Sequence, residues 1–304
     1  MSIRPRRLLP ALLSIPILSL LLLAVFRDGA VSVANRIGSV FGAADPTSNS
    51  MPVQAGTSST RAVEAGLLSE GVTRAGKRYY ALTVDLDRSD LRLFYKNESN
   101  MPFGGFDRLE KWLTDRNERL LFAMNAGIYD TAYHPLGLHI ENGKIVQELN
   151  LHGGGRGDKV AGAGNFYLLP NGVFQVENGA ASVVESQKIS GRTDFRTVGL
   201  ATQSGPLLVY DGHIHPVFKE ESQNFNIRNG VGVINAKTVV FIISRDPVSL
   251  YDFAATFKED FHCDNALYLD GFISGFYLPE LDQSAANPAP FAGILAVTSK
   301  IAGN

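Results

Sequence analysis

From residue 67 onward, short apolar runs alternate with polar, glycine-bearing breaks. Residues 79–86 (YYALTVDL) and 90–95 (DLRLFY) are β-branched and aromatic, and a polar turn at 87–89 separates them. They predict a hairpin. Residues 106–117 set Phe106, Leu109, Trp112 and Leu113 at helical spacing, which predicts an amphipathic helix. A strand at 120–124 runs into Asn125, Ala126 and Gly127, and turn signals at 141–144, 170–172, 177–179 and 211–212 mark further hairpins. Strands follow at 197–202, 207–210, 231–235 and 238–244, and a helix at 249–261 carries Leu250, Phe253, Ala254 and Phe257 on one side. The next strand, 267–269, ends at Asp270-Gly271. Residues 283–290 read as a loop, and 291–301 hold a last strand. Many short strands with few helices do not form a βαβ pattern. The fold class predicted is α+β, with mixed, largely antiparallel sheets and a few flanking helices.

The first 66 residues follow another pattern. Arg4, Arg6 and Arg7 precede an uncharged, apolar run at 8–26 that Arg27 and Asp28 close. Its length is close to the roughly 20 residues needed to cross a bilayer. A basic flank before such a run reads as a cleaved signal peptide or an uncleaved anchor, and both place the domain outside the cytoplasm, periplasmic or at the cell surface. Residues 31–66 are rich in Ser, Thr, Ala, Gly and Pro and read as a flexible linker. The expected organisation is therefore 1–30 signal or anchor, 31–66 linker and 67–304 folded domain.

Composition narrows the function. The net charge of −2 leaves no basic footprint for nucleic acid. Cys263 is the sole cysteine, so neither an intrachain disulfide nor a cysteine-based zinc site can form. There is no GxSxG, HExxH, P-loop or dinucleotide fingerprint, and no cofactor is expected. The glycine-rich stretch 152–164, with Arg156 and Lys159, is either a phosphate cradle or a plain loop. His213 and His215, two apart, are either metal ligands on one face of a strand or turn residues. The polar residues at predicted strand ends remain: Asn125, Asp130, Gln203, Ser204, Arg228, Asn229 and Asp270. Amides, aromatic rings, an arginine and a carboxylate together suit a polar, anionic, sugar-like ligand.

These same stretches carry a resemblance. MNAGIY at 124–129 with PLGL at 135–138, NFYLLPNGVF at 165–174, ATQSGPLLV at 201–209, IRNGVGV at 227–233, PVSLYDFA at 247–254 and LYLDGFIS at 267–274 resemble, in order, the phosphodiester glycosidase domain family, and most closely its bacterial exported branch. The resemblance implies that Asn125, Gly127, Gln203, Gly205, Arg228, Asp270 and Gly271 line one cleft. Asp270 would be base or nucleophile, and Arg228 would neutralise the departing phosphate, with Asp130 as a substitute carboxylate. Tyr129, Ser204, Asn229, Ser274 and Tyr277 would complete the substrate contacts, Tyr129 or Tyr277 as an aromatic wall for a sugar. The implied activity is hydrolysis of a sugar-1-phosphodiester or a related envelope saccharide. The family's two glycines after Asp-Gly are Phe272 and Ile273 here, which favours the other reading, a non-catalytic saccharide-binding protein.

Overall fold

The computed structural model describes residues 59–64, 66–152, 163–270, 273–279, 283–285 and 290–301. The apolar run 8–26, residues 31–58 of the expected linker, most of the glycine-rich stretch, Gly271 and Phe272 lie outside them. Among the described residues no helix is long and apolar enough to cross a membrane.

Among the described residues eighteen strands form three sheets. The largest runs β1 (Ser59–Glu64), β2 (Leu67–Arg74), β3 (Lys77–Asp85), β14 (Thr238–Ser244), β13 (Asn229–Asn235), β15 (Asn265–Asp270), β11 (Leu207–Tyr210) and β12 (His213–Ile214). A second has the order β7 (Lys144–Gln147), β6 (His139–Glu141), β10 (Val198–Ser204), β8 (Gly172–Glu177) and β9 (Ala180–Glu185). The third has β17 (Gln283–Ala285), β16 (Phe276–Leu278), β5 (Glu118–Ala126), β18 (Gly293–Lys300) and β4 (Asp90–Phe94). All pairings among the described strands are antiparallel, so the sheets are not mixed. Among the described residues two α-helices, α1 (Phe106–Thr114) and α2 (Leu250–Ala255), flank them. The fold is thus mostly β, and α+β describes it only coarsely.

Alternation along the central strands explains the layering. Leu82, Val84, Val231, Phe241, Ile243, Leu267 and Leu269 face Phe122, Met124, Phe174, Leu295 and Val297 of the smaller sheets in one continuous core. Phe122 and Phe241 meet across it with ring centroids 5.0 Å apart. The opposite face of the large sheet presents Ala81, Val240, Ile242 and Tyr268 to Phe253 and Phe257 of α2 and its following π-turn, Thr256–Asp260. Glycine in IRNGVGV has a packing reason here. A Cβ on Gly232 would come within 2.6 Å of the Phe257 ring and 2.7 Å of Cys263 Sγ. On the far side, α1 packs Phe106, Leu109 and Leu113 against Ala123, Ile294 and Ala296.

Several expectations change. The segments at 79–86 and 90–95 do not form a hairpin: β3 lies between β2 and β14, whereas β4 pairs with β18 in another sheet. Both faces of β3 are apolar and both are buried, which suits a central strand rather than one arm of a surface hairpin. Part of the expected linker is sheet, since Ser59–Glu64 pairs with β2. Residues 166–169 are turns, and the hairpin there is β8–β9, turned at Asn178 (φ 50°) and Gly179 (φ 72°). Helix α1 stops at Thr114, and Asn117 (φ 57°) swings the chain into β5. In the expected loop 283–290, Gln283–Ala285 pairs with β16.

Candidate functional site

Three strands from two sheets end side by side. Asn125 is the penultimate residue of β5, Asn229 opens β13, and Asp270 ends β15. Asn125 is fully buried and spends its whole amide here. Its Oδ1 accepts from Asn229 Nδ2 at 2.7 Å and from the Gly275 backbone N–H at 2.7 Å, and its Nδ2 donates to the Ile273 carbonyl at 2.7 Å. Asn229 Oδ1 in turn accepts the Asp270 backbone N–H at 2.9 Å. Ser274 Oγ donates to the Asp270 carbonyl at 2.8 Å, and the Ile227 carbonyl lies 3.3 Å away as an alternative acceptor. A buried amide with every group paired fixes its partners tightly, because each lost bond would strand a desolvated group.

The register breaks at this point. Asn229 pairs with Asp270 and Gly230 with Tyr268, leaving Leu269 as an extra residue in β15. Such a bulge bends the strand and re-aims the side chain beyond it. Asp270 is 6% exposed, and its Oδ1 accepts the Ile273 N–H at 3.4 Å. Its charge is felt by two tyrosines. Burial, then Asp270, then Tyr133 push the Tyr129 hydroxyl well above its ordinary range, so it stays protonated and donates to the Pro290 carbonyl at 2.7 Å. Burial pushes Tyr268 up to about 12, with Arg228 lowering it and Asp270 raising it.

The other expected site residues fall elsewhere. Arg228, just before β13, turns its guanidinium to Val248 and Tyr268, which pack with α2, whereas Asn229 turns to Asn125. The guanidinium donates to the Val248 carbonyl (2.8 Å), Tyr268 Oη (2.9 Å) and the Asn224 carbonyl (2.7 Å). Gln203 is consumed by the chain: Oε1 accepts from Leu138 and Asn150 backbone N–H at 2.9 Å each, while Nε2 donates to the Asn150 carbonyl (2.6 Å) and Ser186 Oγ (3.0 Å). Ser204 Oγ donates to the Leu269 carbonyl at 2.8 Å, buttressing the bulge from behind. Asp130 Oδ1 accepts the N–H groups of Ala132 (2.8 Å) and His134 (2.9 Å), turning its own loop. Tyr277 stacks on Phe106 and donates to Glu110 on α1 at 2.8 Å. Gly127 takes φ 69° where a Cβ would lie 2.8 Å from Thr202 Oγ1, and a Cβ on Gly205 would lie 2.7 Å from Asn171 Cβ. Both glycines thus serve close chain approach.

The structure therefore gathers Asn125, Asn229, Asp270 and Ser274, with Tyr129 within electrostatic reach. It assigns Gln203, Ser204 and Asp130 to holding the frame. Ile273 turns into the cluster around Phe106 and Phe291. Tyr268, read from sequence as a plain strand residue, sits between the fields of Arg228 and Asp270. His215 is no metal ligand candidate of the expected kind, since Nε2 bonds the Leu169 carbonyl (3.1 Å) and Nδ1 accepts the Val217 N–H (3.2 Å). Among the described residues no cluster of three or more His, Cys, Asp or Glu is placed to hold a metal.

Comparison with known proteins identifies the chain's relatives. A family model described as phosphodiester glycosidase matches residues 118–292, the span holding all these strand ends. The uncharacterised protein YigE of Escherichia coli (strain K12) is 34% identical over 225 residues, covering 72% of this chain and 82% of that protein. A hypothetical protein from Synechocystis has a similar structure, with a TM-score of 0.50 at 16% identity over 77% of this chain and 62% of that one. The catalytic domain of zebrafish N-acetylglucosamine-1-phosphodiester alpha-N-acetylglucosaminidase, auto-inhibited by its pro-peptide, gives 0.49 at 15% identity over 79% and 88%. By the extent of the family match and the identity to YigE, the chain belongs to the phosphodiester glycosidase family.

Proposed function

We propose that the protein is a hydrolase of a sugar-1-phosphodiester or a related cell-envelope saccharide, with Asp270 as its catalytic carboxylate. The observation that carries this reading is the placement of Asp270: a nearly buried acid re-aimed by a bulge and braced through Asn229 to Asn125. A phosphate on an anomeric carbon is already a good leaving group. One carboxylate, acting as base or nucleophile, therefore replaces the paired acids of ordinary glycosidases. Asp130 is the weaker candidate, because its side chain is 34% exposed, its Oδ1 turns its own loop and its Oδ2 lies 3.4 Å from His134 Nδ1. Arg228 acts as a positioning residue through Tyr268 rather than on the phosphate itself. The run 8–26 is proposed to export the domain or tether it to a membrane, in keeping with a substrate in the envelope.

Purified full-length protein should release free sugar from a panel of sugar-1-phosphodiesters that includes an N-acetylglucosamine-1-phosphodiester. Binding without turnover would favour the second reading, a saccharide-binding protein. The observation behind that reading is the buried Ile273 where the family's active members carry a glycine.

A further inference from the structure

Arg228 has a second consequence. It is 2% exposed, yet its partners are two backbone carbonyls and a tyrosine hydroxyl, with no carboxylate among them. A guanidinium has five N–H donors, of which three are used. One remains on each terminal nitrogen. Buried charges are ordinarily paired, because desolvating an ion without a counter-charge is costly. Arg228 is among the residues lining a cavity of about 340 Å³, within the size range of small-molecule sites. Lys219, Glu221 and Ser222 line it too, so the charged lining sums to one positive charge. Tyr251 and Val217 add apolar lining, and Val217 is 57% exposed. Neither Asn125, Asn229 nor Asp270 lines this cavity.

We propose that this cavity is a binding site for a small organic oxyanion, a carboxylate or phosphate carried on an apolar body, separate from the Asp270 site. The oxyanion would accept the two remaining guanidinium N–H groups, as planar oxyanions do, with Lys219 adding charge and Tyr251 and Val217 covering the body. The site stands whether or not Asp270 is catalytic.

The test is binding of benzoate, phenyl phosphate and neutral benzamide to the full-length protein by calorimetry. Benzoate or phenyl phosphate should bind roughly tenfold or more tightly than benzamide, the worth of a charge-assisted hydrogen bond. Whichever anion binds more tightly identifies the headgroup. Lys219 is exposed, so Lys219→Glu keeps the fold and should weaken the anion severalfold. Replacing Arg228 would also release the Asn224 and Val248 carbonyls and is the less clean variant. Asp270→Asn should leave anion binding unchanged. Equal binding of benzamide and the anions, or an effect in Asp270→Asn with none in Lys219→Glu, would overturn the proposal.

Discussion

Asn125 and Asn229 belong to different sheets, 104 residues apart in sequence, and share a buried side-chain hydrogen bond of 2.7 Å. Through that bond the end of β5 fixes the end of β13, and Asn229 then fixes the backbone of Asp270. Asn125→Ala leaves Asn229 Nδ2, the Gly275 N–H and the Ile273 carbonyl without their partner. The expected cost is on the order of 3 kcal/mol, the sum of small penalties for stranded buried groups. Urea unfolding measures it. A loss below about 0.5 kcal/mol would show that the brace is not under tension from these groups.

Gln203 separates a structural role from a ligand role. Its side chain holds Leu138 and Asn150 and touches no residue of the Asp270 group. Gln203→Ala should lower the melting temperature by several degrees, as a loss of about 2 kcal/mol does in a domain of this size. Activity per folded molecule should change far less than in Asp270→Asn. A large rise in KM with unchanged melting temperature would instead make Gln203 a substrate contact.

His215 gives a pH dependence. Burial lowers its pKa below the ordinary 6.5. Geometry agrees, since Nδ1 accepts the Val217 N–H and a protonated ring has no acceptor to offer. The unfolded chain therefore binds the proton more readily. The stabilisation is fully present above about pH 6.5 and is lost as pH falls from there toward the folded pKa. Unfolding curves at pH 7.5 and 5.5 should show a steeper loss in the wild type than in His215→Gln. Parallel losses would contradict the assignment.

Much of this was legible in the chain, for reasons the residues make plain. The hairpins at 142–143, 178–179 and 211–212 carry Asn-Gly or Asp-Gly, the pairs that accept positive φ, and each turns as expected. Asp270 stands at a strand end, as the Asp-Gly break implies. What a side chain touches across the fold was not legible. Gln203 meets Asn150 over 53 residues, and no local pattern encodes that contact. That Arg228 turns to Val248 and Tyr268 while Asn229 turns to Asn125 was not legible either, because Arg228 lies just outside β13 and its partners are 20 and 40 residues away. The pairing of β3 with β2 and β14 rather than β4 is not local: the apolar run at 79–84 marks a buried strand without saying which strands flank it.

The measurement that bears most directly on the central claim is the turnover of a sugar-1-phosphodiester by Asp270→Asn beside the wild type, with substrate affinity measured on both. Asparagine keeps the shape and the backbone bond to Asn229 but removes the charge. The expected result is a fall in kcat of roughly a thousandfold, within the range for loss of a general base, with affinity changed less than about threefold. Undiminished hydrolysis by Asp270→Asn would contradict it.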